Sequence, residues 1–230
     1  MSQLPLMIFA AGFGTRMGTL TQDRPKPLIA VGGRALIDHA LYVARGAGAA
    51  KIVINLHYLG EKIAAHLAGQ NVEFAWERPQ VLETGGGLRA ALPRLGAGPV
   101  MLLNSDAVWT GQNPLTQLIA AWDSAKMDAL LLLTPPEQAH GHTGAGDFLL
   151  DNVAASPAQK ATKAPIYLGA QILNPALLHD IPETVFSLGK LWDKAIDTGR
   201  AYGMMHQGGW CDVGTPEGIA VAEKVLNVHP

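Results

Sequence analysis

The sequence predicts an α/β protein in which a mostly parallel sheet carries helices on each side. Three observations lead there. Short apolar runs alternate along the chain with longer helix-like segments. The early runs, such as Met7-Ile8-Phe9 and Val100-Met101-Leu102-Leu103, are apolar at every position, as strands buried on both faces are. The chain has 230 residues, 48% of them apolar, enough for a sizeable core. A single domain over 1–230 is expected.

Each apolar run is taken as a strand: Leu6–Ala11, Lys51–His57, Glu73–Glu77, Val100–Ser105, Ala129–Thr134, Phe148–Asp151, Ile166–Leu173 and Tyr202–Gln207. The longer segments between them predict helices at Ala35–Ala47, Gly60–Leu67, Gly86–Leu92, Leu115–Ser124, Leu188–Thr198 and Pro216–Val225. The last of these opens on Thr215-Pro216, a helix cap followed by proline in the first turn. Residues 135–165 are weaker in pattern and rich in Gly, Ala and Pro; they read as a lid or a small β excursion.

The formal charge is −2, from 17 basic and 19 acidic residues, and no block of like charge stands out. Nucleic acid and anionic membranes, which reward a concentrated basic face, are therefore not expected partners. The lone Cys211 rules out a disulfide within the chain, and Leu6–Ala11 is too short for a signal peptide or a membrane span. A cytoplasmic location is expected.

Sheets of this kind gather ligands at the carboxyl ends of their strands. Three segments follow predicted strands there: Ala11–Arg16, Asn104–Asp106 and Trp210–Asp212. In Ala11-Gly12-Phe13-Gly14-Thr15-Arg16 the glycines let backbone N–H groups press against phosphate oxygens, and Arg16 adds a planar fork. Neither the Walker nor the dinucleotide spacing is met, and an ordinary strand-to-helix turn fits the glycines equally well. Lys26 stands between Pro25 and Pro27, stiffly held, as a fixed positive charge or as a surface turn. Asp106 closes a buried strand, where it can bind a hard cation or cap the next element; Asp212 is expected in a turn before a helix, with the same two readings.

Ala10-Ala11-Gly12-x-Gly14-Thr15-Arg16-Met17, then Leu20-Thr21, then Pro25-Lys26-Pro27-Leu28, resembles the signature of the sugar-1-phosphate nucleotidyltransferases. Thr19 stands where that family normally has proline, and Ser105 where many relatives have glycine. The resemblance implies a three-layer, Rossmann-like nucleotide-diphospho-sugar transferase fold with a mixed sheet. It implies that Ala11, Gly12, Gly14, Thr15, Arg16 and Lys26 hold the triphosphate, and that Asp106 and Asp212, in Trp-Cys-Asp-Val-Gly-Thr, ligate Mg²⁺.

Leu82-Glu83-Thr84-Gly85-Gly86-Gly87 opens a helix, where free N–H groups could meet a base. The resemblance places the base at Glu83, Gly85 and Gly86, the bland alternative being a flexible turn. This segment is most similar to short uridylyltransferases acting on N-acetylmuramate 1-phosphate. Gly146-Asp147-Phe148 and Tyr167-Leu168-Gly169 also match that subgroup, which puts Asn104, Asp147 and Gly169 at the sugar; Asp147 fits a plain turn equally well. His140 and His142 read as solvated loop residues.

The implied partners are a nucleoside triphosphate and a sugar 1-phosphate. A monomer and a homodimer remain open. So do a guanylyltransferase acting on another sugar 1-phosphate, a cytidylyltransferase acting on an alcohol phosphate, and a non-catalytic nucleotide sensor.

Overall fold

The structure is a computed structural model and describes residues 4–152 and 154–228. The chain opens with β1 (Leu6–Phe9), two 3-10 segments at Thr15–Thr21 and Lys26–Leu28, and the hairpin of β2 (Ala30–Val31) and β3 (Arg34–Ala35). Then come α1 (Leu36–Gly46), β4 (Ile52–Leu56), α2 (Gly60–His66), β5 (Glu73–Trp76) and α3 (Glu83–Leu95). The middle holds β6 (Val100–Asn104), β7 (Ala107–Trp109), α4 (Pro114–Ala121) and β8 (Ala129–Thr134). Next are β9 (Ala139–His140), β10 (Phe148–Leu150), β11 (Ser156–Lys160) and β12 (Ile166–Leu173). The last elements are α5 (Gly189–Asp197), β13 (Ala201–Met205), β14 (Trp210–Asp212) and α6 (Pro216–Val228).

Nine strands form the main sheet in the order β10-β11-β13-β8-β12-β6-β1-β4-β5. Only β11 and β12 run against the other seven, so the sheet is mixed and mostly parallel. Alternate side chains of the central strands go to opposite faces. Leu6, Ile8, Ile54, Met101 and Leu103 pack with α1, α2 and α4 through Ile37, Leu41, Ile63, Leu115 and Leu118. Met7, Val53, Val100 and Leu102 pack with α3 and α5 through Leu88, Ala91, Leu95 and Leu191. This is the three-layer arrangement expected. Burying one such side chain stabilises by about 2 kcal/mol, more than the ~1 kcal/mol span of strand propensities, so burial sets the register.

Several predicted boundaries move. The first strand stops at Phe9 because the Ala10 N–H donates to Asn55 Oδ1 at 2.7 Å instead of extending the ladder. The α3 helix starts three residues before the predicted Gly86 and runs on to Leu95 with Pro93 in its last turn. Segment 135–165 is a β excursion: β9 joins a small sheet of order β7-β14-β9, while β10 and β11 extend the main sheet at its edge. The strands β2, β3, β7, β9, β11 and β14 have no counterpart in the sequence reading. They are two to five residues long; β2 and β3 pair only with each other, and partners distant in sequence define β7, β9, β11 and β14.

Candidate active site

The carboxyl ends of β1 and β6 open into a cleft of about 330 Å³. One wall is the loop after β1, with Ala11, Gly12, Gly14, Thr15 and Arg16 lining the space. Gly14 has φ +66°, and a Cβ there would lie 2.9 Å from the Lys26 Cβ. Glycine at this position therefore brings the loop against the lysine stem. Thr21 Oγ1 donates to the carbonyls of Gly14 (3.1 Å) and Gly18 (3.2 Å), and buried Met17 anchors the segment below. Lys26 is 9% exposed, and its Nζ donates to Asp106 Oδ2 at 2.8 Å. That excludes the surface-turn reading of Pro25-Lys26-Pro27.

Asp106 leaves the end of β6, and the Ser105 hydroxyl before it donates to the Phe9 carbonyl at 2.6 Å. The two central strands are thus tied at the point where the cleft opens. Asp212 lies not in a turn, as the sequence suggested, but at the end of β14, opposite Ala107 of β7. The Val213 N–H donates to the Asp106 carbonyl at 2.8 Å. Asp106, just before β7, and Asp212, at the end of the paired β14, are therefore brought together although 106 residues apart in sequence. A Cβ at Gly214 would lie 2.9 Å from Asp212 Oδ2 and 3.0 Å from Arg16 Nη1, so carboxylate and guanidinium share this corner. Burial, and then the negative charge of Asp106, hold the Asp212 carboxyl above the usual carboxylate range, against the opposing charges of Lys26, Arg16 and His142.

Burial likewise pushes the neighbouring Cys211 thiol up to about 12. The side chain is fully buried, a packing residue without nucleophilic character at neutral pH.

The opposite wall carries Glu83, Thr84 and Val81. Here one expectation is corrected. The N–H groups of Gly85 and Gly86 are not free for a base: both donate to the Phe186 carbonyl, at 2.9 and 3.1 Å. A Cβ at Gly85 would run into the Phe186 ring, and one at Gly86 into the Thr184 carbonyl. These glycines admit the 184–186 segment, and their neighbour Glu83, held at φ +59°, faces the cleft instead.

Of the three residues assigned to the sugar, Asn104 lines the cleft. Gly169, at φ +79°, lies behind it: a Cβ there would come within 2.7 Å of Asn104 Nδ2, so Gly169 seats Asn104. Asp147 lines a separate cavity of about 410 Å³ with Phe148, Lys160 and Trp192, and its Oδ2 accepts the Tyr167 N–H at 2.8 Å. His142 is closer to the site than a solvated loop residue would be. Strand β9 runs beside β14, and the His142 ring lies 6.3 Å from that of Trp210.

Asn55 and Glu77, which line the cleft, escaped the sequence reading, and Thr84 and Ser105, which lie inside the segments it singled out, were given no role there. A signal for Asn55 existed, a lone amide inside the apolar run Ile52-Val53-Ile54-Asn55-Leu56.

A glycine loop with a buried lysine, facing paired carboxylates on an α/β sheet, is the layout of a phosphate-handling transferase. Comparison with known proteins agrees. Residues 6–172 match the model of the MobA-like NTP transferase domain. The N-acetylmuramate alpha-1-phosphate uridylyltransferase of Caulobacter vibrioides is 38% identical over 98% of this chain and 99% of its own length. The protein of the same name from Neisseria meningitidis serogroup B is 33% identical over 91% and 92%. Among solved structures, a UDP-glucose pyrophosphorylase from Acinetobacter baumanii superposes with a TM-score of 0.78 over 96% of this chain and 92% of its own, at 18% identity. The chain belongs to the MobA-like NTP transferase family, among the sugar-1-phosphate nucleotidyltransferases. It is an enzyme of nucleotidyl transfer.

Proposed function

We propose that this enzyme joins UTP to N-acetylmuramate 1-phosphate, releasing pyrophosphate and forming the UDP-sugar. One observation carries the chemistry: the glycine loop, Lys26 and Asp106 line one cleft, and Asp212 lies near enough to Asp106, Lys26 and Arg16 to feel their charges. The substrate assignment rests on the relatives at 38% and 33% identity, which span nearly the same length.

An oxygen of the sugar phosphate attacks the α-phosphorus in line. The new P–O bond forms as the bond to the β-phosphate bridging oxygen breaks, and pyrophosphate leaves. The nucleophile is already anionic at neutral pH, so no side chain removes a proton. Catalysis rests on positioning and charge stabilisation. The amides of Gly12 to Thr15 and the Arg16 guanidinium receive the leaving phosphates. Lys26 neutralises charge near the α-phosphate. Glu83 and Thr84 border the base, and Asn104 borders the sugar.

The residues fit a divalent cation. Asp106 and Asp212 offer hard oxygens close to one another, and burial, followed by the charge of Asp106, raises the Asp212 carboxyl. Magnesium suits such a set because it takes a few carboxylates and completes its shell with phosphate and water. When bound, it supplies positive charge to the reacting phosphates. A place in cytoplasmic cell-wall sugar recycling follows from the proposed substrate.

The test is pyrophosphate release across a grid of nucleoside triphosphates and phosphorylated acceptors with Mg²⁺. UTP with N-acetylmuramate 1-phosphate should give the highest kcat/KM. A higher value for GTP with mannose 1-phosphate, or for CTP with an alcohol phosphate, overturns the substrate. No release from any pair overturns the reaction.

A further inference from the structure

In the lining of the cleft lies a nearly buried polar pair to which the proposed reaction gives no role. Alternation along β4 sends Ile52, Ile54 and Leu56 to the α1 and α2 side and leaves Val53 and Asn55 facing α3. Asn55 is therefore a buried amide at the carboxyl end of the strand, 3% exposed. Its Oδ1 accepts the Ala10 N–H at 2.7 Å, and its Nδ2 donates to Glu77 Oε1 at 2.7 Å. Glu77 follows the neighbouring β5 and is 1% exposed. Its second oxygen, Oε2, accepts the Leu82 N–H at 2.7 Å, while its carbonyl meets His57 Nδ1 at 2.7 Å.

No salt bridge joins Glu77 to a lysine or arginine among the described residues. A buried carboxylate without a cation is costly and stays only where neutral donors satisfy it. Here the donors are specific. Ala10 begins the phosphate loop, and Leu82 is the residue from which α3 and the Glu83–Thr84 wall start. The helix leaves space for the carboxylate at Gly87, where a Cβ would lie 2.5 Å from Glu77 Oε1 and 3.1 Å from Asn55 Nδ2.

We propose that Asn55 and Glu77 are positioning residues for nucleotide binding, a rigid hydrogen-bonded tie that sets the distance between the triphosphate loop at Ala10 and the base wall at Leu82. The inference rests on the nucleotidyl-transfer reading. The direction of every bond in the tie is determined. Two backbone donors point inward, and one amide paired with one carboxylate satisfies both, whereas two amides or two carboxylates do not. Glu77→Gln places an NH₂ where Asn55 Nδ2 or the Leu82 N–H already donates. Asn55→Asp sets two carboxylates against each other. The double variant N55D/E77Q reverses the polarity and satisfies every donor again.

The experiment measures UTP·Mg²⁺ binding by calorimetry without acceptor, then kcat and both KM values, for wild type, E77Q, N55D, N55D/E77Q and G87A, with melting curves for each. E77Q and N55D should weaken UTP binding about tenfold or more, the effect of one orphaned buried group. The KM for the sugar phosphate should move less than about threefold. The double variant should regain most of the affinity. G87A, whose methyl intrudes on Glu77 while favouring the helix, should bind UTP weakly, with a smaller loss of melting temperature than E77Q. If E77Q does not fold, the double variant and G87A decide.

UTP affinity within twofold of wild type in E77Q and G87A, or no recovery in the double variant, overturns the tie. Wild type that releases no pyrophosphate and binds no triphosphate overturns the underlying reading as well.

Discussion

Asp106 and Asp212 are the residues whose loss speaks most directly to the chemistry. Replacing either by asparagine keeps shape and removes one negative charge. The expected result is a fall in kcat of about 10²–10³, measured as pyrophosphate release at saturating Mg²⁺, with little change in melting temperature. Turnover near the wild-type level would show that the pair does not act on the phosphates. Arg16, Lys26 and Asp106 were expected near the carboxyl ends of the strands, where they line the cleft; locally each also fitted a plain turn or cap, and the roles of these residues and of Asp212 were implied by the resemblance alone. The role of Gly85 and Gly86 was not legible. Their amides are taken by Phe186, about a hundred residues on, and no local pattern reports a carbonyl arriving from so far away. Glu77 escaped for the same reason, and Asn55, though visible as a lone amide in an apolar run, gains its meaning only when β4 and β5 lie side by side.

Among the elements, α4 shows how a short helix is held at its start. Asn113 Oδ1 accepts from the N–H groups of Leu115 (2.9 Å) and Thr116 (3.2 Å), while its Nδ2 donates to the Val43 carbonyl of α1 at 2.8 Å. Pro114 follows in the first turn. Asn113→Ala should cost about 1–2 kcal/mol, lowering the melting temperature by roughly 2–4 °C per kcal/mol in a chain of this size. Pyrophosphate release should be unchanged, because the cap lies outside the cleft. The segment after β12 is held differently. The Arg89 guanidinium donates to the carbonyls of Glu183 (2.7 Å), Ile181 (2.7 Å) and Leu178 (3.2 Å), and stacks 4.6 Å from the Phe186 ring. Phe186 in turn holds the start of α3. Arg89→Ala should therefore speed amide exchange across 178–188 and raise the KM for the triphosphate. An unaltered exchange pattern would refute this. The long, strongly apolar elements could be read from the chain, whereas short strands such as β14 depend on partners the sequence does not place next to them.

Across the whole molecule, a buried histidine couples stability to acidity. His206 is 7% exposed, bonded through Nδ1 to Gln117 Nε2 at 3.0 Å and packed edge-on against Trp109. Burial lowers its pKa from 6.5 to about 4. In the unfolded chain the imidazole takes up a proton near pH 6.5, but in the folded one only near pH 4. The associated stability is therefore complete above about pH 6.5 and is lost as pH falls towards 4, by at most about 3 kcal/mol. Melting curves from pH 7 to 4.5 should show this loss, and His206→Asn should flatten it. The layered plan was legible because strands buried on both faces announce themselves in composition. Strand order was not, since neighbours such as β12 and β6 come together from far apart in the chain. On the proposed reaction, the Lys26–Asp106 contact also governs how ligands arrive. A single ammonium cannot neutralise Asp106 and an incoming phosphate at once. Once a triphosphate draws Lys26 away, two adjoining anions are left exposed to each other, and their demand for a divalent ion rises. Reciprocity requires the ion to strengthen the grip on the triphosphate equally. Each ligand alone should then bind the free protein weakly, and Mn²⁺ titrations with and without UTP should reveal one joint uptake.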